Sequence, residues 1–185
     1  MTQNETPSPT ILGLCTFGLV TILLSLANAG LIGVSSPIIA MAVFCGGFAL
    51  VIVGLLEWTK NNLFGFITFG GFGFFWFSFA AILVLPAMGL AAAPTAIELG
   101  AFLFVWTLLA LCLLICGLHL GDKLLLAILA FLVLLFVLLT FGALLGIPLL
   151  TTLGGYAGII TGLLALYMGI ALVVNTVCNK SIFPL

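Results

Sequence analysis

Six long apolar segments occupy most of this chain of 185 residues. A helix crosses the hydrocarbon core of a bilayer with about 20 mainly apolar residues, and each segment reaches that length. In chain order the segments are roughly Ile11–Gly30, Pro37–Leu56, Phe64–Leu85, Ile97–Leu118, Lys123–Leu145 and Gly155–Asn175. Because only short links separate them, the sequence predicts an all-α integral membrane protein in which six transmembrane helices form a compact bundle.

The composition supports this class and excludes others. Hydrophobic residues make up 65% of the chain and charged residues 4%, whereas soluble domains carry about 25% charged residues. The formal net charge of −1 provides no basic patch, so we expect no nucleic acid partner. Residues 1–10 are polar and lack the features of a signal peptide. We therefore expect a short polar tail over residues 1–10, a six-span domain over residues 11–178 and a short tail over residues 179–185.

The lysines predict the orientation in the membrane. Lys60 lies in the link between the second and third spans, Lys123 lies at the link between the fourth and fifth spans, and Lys180 lies in the C-terminal tail. With six spans, these positions and both termini share one side of the membrane. Cytoplasmic links are enriched in Lys and Arg, and the other three links contain neither residue. We expect a multi-pass protein of the cell membrane with both termini in the cytoplasm.

A polar stripe runs along the first segment. At 100° per residue, Phe17, Thr21, Ser25 and Asn28 fall within an arc of about 80° on an otherwise apolar helix. A single membrane anchor has no use for such a stripe, whereas a helix lining a narrow path for a small polar solute does. A carboxamide facing lipid is costly, so Asn28 and the distant Asn175 should face the protein interior or a wet cavity.

Ionisable residues are absent from the predicted membrane midplane. Those of the spans lie near predicted helix ends, namely Glu57, Lys60, Glu98, His119, Asp122 and Lys123. This distribution argues against a protein-borne proton relay at the midplane and against an intramembrane hydrolase, so we expect no catalytic residue. For Glu57 and Lys60 we expect a surface ion pair or a solvated helix end.

Cysteines and glycines favour packing roles over binding sites. Cys112 and Cys116 lie one helical turn apart, which suggests a metal site, but no histidine is spaced to assist and small apolar fillers in a helix interface are the favoured interpretation. We expect no metal and no other cofactor. Gly154, Gly158 and Gly162 follow the small-xxx-small spacing, which predicts close approach of two helix backbones.

Three sequence blocks resemble the acetate uptake transporter family, which includes bacterial succinate–acetate permeases and fungal ammonia/acetate exporters. The blocks are LGLCTFGLVTILLSLANAG at Leu12–Gly30, GLLEWTKNNLFG at Gly54–Gly65 and GYAGIITGLLALYMGIALVVN at Gly155–Asn175. They occur in the family's order and spacing. The resemblance implies a pore in each protomer, a homo-hexameric ring, and transport of acetate and similar small monocarboxylates, in some members succinate.

The family's hydrophobic constriction has three members, which the resemblance assigns to Phe17, Phe72 and Leu132. Bacterial relatives commonly carry Tyr where this chain has Phe72. The family's opening signature, Asn-Pro-Ala-Pro-Leu-Gly-Leu, is also altered here to Ser-Pro-Thr-Ile-Leu-Gly-Leu at residues 8–14. The loss of a hydroxyl at Phe72 should weaken hydrogen bonding to a carboxylate, so that the solute is passed rather than held.

The expected function is transport of small monocarboxylates across the lipid bilayer. The protein would act as a transporter or an anion channel, either passively or as a proton symporter. The predicted path contains Thr21, Ser25, Asn28, Tyr167 and Asn175. Two alternatives stay open: a channel for another small solute such as formate, ammonia or water, and a structural membrane scaffold that assembles through its glycine faces.

Overall fold

The computed structural model describes residues 7–185, and its six long helices confirm the six predicted spans. The helices are α1 Pro9–Asn28, α2 Ser36–Thr59, α3 Leu63–Ala87, α4 Ala96–Leu120, α5 Lys123–Leu145 and α6 Pro148–Cys178. Each is long and apolar enough to cross a membrane, and residues 7–185 contain no strand. Of the N-terminal tail predicted over residues 1–10, residues 1–6 lie outside the described residues and α1 begins at Pro9.

Local signals in the sequence explain where the helices begin and end. Asp122 Oδ1 accepts the backbone N–H groups of Leu124 and Leu125 and caps α5. Gly146 adopts a φ of 62° and ends α5. α6 begins at Pro148 rather than at the predicted Gly155, because a proline has the backbone φ of a first helical residue.

The helices form a closed ring in chain order. Each helix packs against the next, and α6 returns to pack against α1 in the most extensive helix pair of the structure. α1 therefore lies between α2 and α6. Thr21, Ser25 and Asn28 of its polar stripe line a cavity in the interior of the ring, and Ser25 also lies against Gly158 of α6.

Glycines allow α1 and α6 to touch through their backbones. A Cβ at Gly155 would lie 2.7 Å from Ala29 Cα, and one at Gly162 would lie 2.9 Å from the carbonyl oxygen of Gly18. Neither distance leaves room for a side chain. Of the predicted repeat, Gly158 and Gly162 lie against α1, which confirms the close approach there, whereas Gly154 lies against Leu138 and Leu139 of α5.

The middle of α2 is a wider, π-helical turn over Ala42–Ala49. It carries Gly46 and Gly47, which contact two aromatic side chains of α3. A Cβ at Gly46 would lie 2.7 Å from Trp76 Cβ. A Cβ at Gly47 would lie 2.6 Å from Phe77 Cδ1. π-Helical turns often occur at functional sites. Here the turn seats Trp76, which borders the ring interior.

Candidate solute pathway

Three cavities follow one another between α1, α3 and α5. The lysine-side cavity, about 280 Å³, begins at Thr10 and Asn62, at the end of the bundle that carries Lys60. The middle cavity, about 30 Å³, follows α1 from Phe17 to Asn28. The far cavity, about 170 Å³, continues from Asn28 towards the opposite end of the bundle.

The three residues assigned to the constriction meet between two of these cavities. Phe17, Phe72 and Leu132 each line both the lysine-side cavity and the middle cavity. All three are buried, and the ring centroids of Phe17 and Phe72 are 6.0 Å apart. Side chains of α1, α3 and α5 thus form an apolar wall across the path.

The middle cavity combines aromatic walls with hydrogen-bonding groups that have no partner. Thr21 and Trp76 both line it, and Thr21 Oγ1 and Trp76 Nε1 are buried without a hydrogen bond in the described residues. A buried unpaired polar group costs about 1–3 kcal/mol. Both groups can donate a hydrogen bond, which makes the cavity a place where a carboxylate or another acceptor would be stabilised.

The middle cavity is also the smallest of the three. A volume of about 30 Å³ holds about one or two water molecules and cannot hold a solute of four heavy atoms such as acetate. The row of cavities is therefore closed at this point to a solute of that size.

The rest of the polar stripe lies along the same path. Ser25 is buried and lines the middle cavity, and half-buried Asn28 lines both the middle and the far cavities. One side of α1 thus presents Thr21, Ser25 and Asn28 in turn from the constriction outward.

Tyr167 and Asn175 do not lie on this path, which corrects their assignment. Tyr167 Oη donates to Pro184 O at 2.7 Å. Asn175 Nδ2 donates to Phe183 O at 2.8 Å, and its Oδ1 accepts the N–H groups of Ile182 and Phe183. Neither residue lines any of the three cavities. The C-terminal segment folds back onto the end of α6, and its backbone satisfies both polar side chains.

Several path residues on α3 escaped the sequence prediction. Thr68 Oγ1 is a third buried group that has no partner within the part of the chain that the structure describes, and Thr68 lines the lysine-side cavity. Phe75 and Trp76 line the middle cavity together with Phe72. Phe72, Phe75 and Trp76 follow Thr68 by four, seven and eight residues, which is the spacing of one helix face. That spacing could have identified them, but the abundance of Phe in the segment obscured it.

Glu57 is buried, which corrects the expectation of a surface ion pair or solvated helix end. Only 2% of its surface is exposed. Thr10 Oγ1 donates to Glu57 Oε1, and Asn62 Nδ2 donates to Glu57 Oε2 at 2.8 Å. Lys60 Nζ donates to Pro7 O at 2.9 Å. α1 and the start of α3 cover the end of α2, and their polar groups satisfy the carboxylate.

Cys112 and Cys116 are exposed on α4, so they do not fill a helix interface within the protomer, as the sequence had favoured. Within residues 7–185, no group of three or more His, Cys, Asp or Glu side chains could hold a metal ion.

Comparison with known proteins gives a consistent result. The profile of the GPR1/FUN34/yaaH family matches residues 1–184. The succinate-acetate/proton symporter SatP of Escherichia coli K12 is 36% identical over 185 residues, covering 100% of this chain and 98% of that protein. An uncharacterized protein of Methanothermobacter thermautotrophicus is 39% identical, covering 98% of this chain and 92% of that protein. The solved structure of the bacterial acetate channel SatP matches with a TM-score of 0.94 and 36% identity, over 98% of this chain and 99% of that one.

Proposed function

The chain belongs to the GPR1/FUN34/yaaH family of membrane proteins, and from that premise we propose that it carries acetate and similar small monocarboxylates across the cell membrane. The path is the row of cavities between α1, α3 and α5. Full-length relatives are named as a transporter and a channel rather than as enzymes, and the named solutes are small carboxylates.

The single observation that carries the proposal is the placement of unpaired donors beside an apolar wall. Phe17, Phe72 and Leu132 line two adjacent cavities, and Thr21 Oγ1 and Trp76 Nε1 lie directly beyond them without a partner among residues 7–185. An apolar ring excludes water and small inorganic ions by dewetting. A carboxylate that passes the ring then meets two donors that replace part of its hydration shell.

The mechanism that we derive is gated passage rather than tight binding. The rings of Phe17 and Phe72 turn aside, the solute enters the middle cavity, and Thr21, Ser25 and Asn28 offer successive hydrogen bonds towards the far cavity. Phe72 has no hydroxyl to retain a carboxylate at the ring. Neutral donors hold an anion weakly enough to release it, which favours flow in the direction of the solute gradient.

Orientation and assembly complete the proposal. The lysine-side cavity opens to the cytoplasm, together with both chain termini and the short tails, because Lys60, Lys123 and Lys180 lie at that end. The protomers form a homo-hexameric ring, as the family resemblance implies. Cysteine accessibility from each side of sealed vesicles tests the orientation, and native mass spectrometry tests the ring.

Uptake of labelled acetate into proteoliposomes tests the function. Uptake should be measured at a pH well above the titration range of acetic acid, where almost all the solute is the anion. Protein-free liposomes give the background leak, which is subtracted. We expect protein-dependent uptake that unlabelled propionate and succinate reduce. Absence of protein-dependent uptake would overturn the proposal. Uptake of formate, ammonia or water in the absence of acetate uptake would instead identify a channel for another solute.

A further inference from the structure

We infer that Trp76 is the residue by which the path discriminates a carboxylate from an uncharged solute of the same size, and that the π-helical turn of α2 positions its indole N–H. The inference rests on the proposed function, since it assigns a selectivity to the middle cavity of that same path. It involves no proton transfer and no change in the charge of the protein.

The indole N–H of Trp76 is a buried donor without an acceptor. The residue is 3% exposed and lines the middle cavity, and its Nε1 has no hydrogen-bond partner within residues 7–185. A buried tryptophan N–H usually finds a partner. An acceptor atom of a solute in the middle cavity can be that partner, so the N–H stabilises the solute at this point of the path.

Trp76 differs from the polar stripe of α1 in the kind of hydrogen bond that it can make. An indole N–H only donates. The side chains of Thr21, Ser25 and Asn28 can donate and accept, so they serve charged and uncharged solutes alike. A carboxylate presents an acceptor oxygen in either orientation, whereas a carboxamide presents one acceptor and one donor. Because hydrogen bonds to an ionised acceptor are also about twice as strong as those between neutral groups, Trp76 favours the carboxylate.

Three neighbours fix the orientation of the indole. Gly46 lies in the π-helical turn, and a Cβ there would lie 2.7 Å from both Cβ and Cδ2 of Trp76, so the side chain packs against the backbone of α2. The rings of Phe75 and Phe79 form T-shaped pairs with the indole, with centroids 5.3 and 6.2 Å from it. A donor held in this way does not have to be ordered when a solute arrives, so its full hydrogen-bond energy contributes to selectivity.

Uptake of labelled acetate and labelled acetamide by proteoliposomes tests the inference, with the leak of protein-free liposomes subtracted for each solute. The two solutes have the same number of heavy atoms, and acetamide carries no charge. Trp76→Phe keeps an aromatic ring and removes the N–H. We expect it to lower the acetate-to-acetamide uptake ratio about five- to tenfold, because a hydrogen bond to a charged acceptor contributes more than one to a neutral acceptor. Trp58→Phe is the control and should keep the wild-type ratio, since Trp58 is exposed and lines none of the three cavities.

Two adjacent glycines of the π-helical turn test the positioning of the indole separately from the stability of the turn. Gly46→Ala places a methyl group against Trp76. Gly47→Ala places one against Phe77, which lines none of the three cavities. Both variants should lower the melting temperature, but only Gly46→Ala should lower the uptake ratio. In the Trp76→Phe background, Gly46→Ala should lower the ratio no further, because the N–H that it displaces is already absent.

The possible results separate the inference from the proposed function. A wild-type uptake ratio in Trp76→Phe overturns the role of Trp76, and equal losses of the ratio in Gly46→Ala and Gly47→Ala overturn the role of the π-helical turn. Should Trp76→Phe fail to fold, the two glycine variants decide, and a wild-type ratio in Gly46→Ala then refutes the inference. Absence of acetate uptake by the wild type overturns the proposed function instead.

Discussion

Replacement of Thr21 by valine should stabilise the protein and slow transport at the same time. Thr21 Oγ1 is buried in the wall of the middle cavity and has no partner among the described residues. Thr21→Val exchanges this hydroxyl for a methyl group of similar shape, so it removes the desolvation penalty of an unpaired group, about 1–3 kcal/mol. The free energy of unfolding should rise by up to that amount.

The same substitution removes a donor from the path. A hydrogen bond to a charged group contributes about 1.5–3 kcal/mol, which corresponds to roughly a 10- to 100-fold slower passage of the anion if the bond forms at the barrier. The two effects of Thr21→Val have opposite signs, because the hydroxyl destabilises the empty protein and stabilises the solute.

Thr161 provides the matched control for this prediction. It is fully buried on α6, lines none of the three cavities, and its Oγ1 donates to Ala157 O at 2.9 Å. Thr161→Val loses a satisfied hydrogen bond, so the unfolding free energy should fall by about 0.5–1.5 kcal/mol with acetate uptake unchanged. Thermal unfolding in detergent and uptake by proteoliposomes measure both quantities. Equal destabilisation of the two variants, with uptake intact in both, would refute the assignment of Thr21 to the solute path.

Three other substitutions test separate parts of the structure. Phe17→Ala should open the apolar wall, raising acetate uptake and weakening the discrimination against larger monocarboxylates; an unchanged solute profile removes it from the constriction. Gly155→Ala should destabilise the protein by about 1–3 kcal/mol, because its methyl group would collide with the backbone of Ala29. Gly33→Ala is the control: a Cβ at Gly33 has no atom within 4 Å, so this variant should not lower the melting temperature. Asn175→Ala should release the C-terminal segment to proteases while uptake persists, and a loss of uptake with the segment still protected would return Asn175 to the path.

Those features of the fold that depend on local sequence were predictable. Six spans follow from the length of the apolar segments, and a surface for close helix packing on α6 follows from glycines at every fourth position. The stripe from Thr21 to Asn28 is also local, since a regular helix places these residues on one side whatever surrounds it. Such features need no knowledge of which helices are neighbours.

The partners of individual polar groups were not predictable in this way. Asn175 was assigned to the path because a carboxamide avoids lipid, yet the backbone of the folded-back C-terminal segment satisfies it. Glu57 was expected at the surface because it ends a span, yet α1 and α3 bury it with Thr10 and Asn62. In both cases the deciding contact comes from residues distant in the sequence or beyond the helix end.

The sequence by itself thus determined that the protein spans the membrane six times, which segment carries a glycine surface for close packing, and which side of α1 is polar. Only the tertiary structure shows that a row of cavities lies between α1, α3 and α5, that Phe17, Phe72 and Leu132 each line two of them, and that Trp76 lines the middle cavity together with Thr21. The physical reason is that helix periodicity sets the direction of a side chain relative to its own axis. What lies in that direction, whether lipid, a neighbouring helix or a cavity, depends on how the six axes pack together.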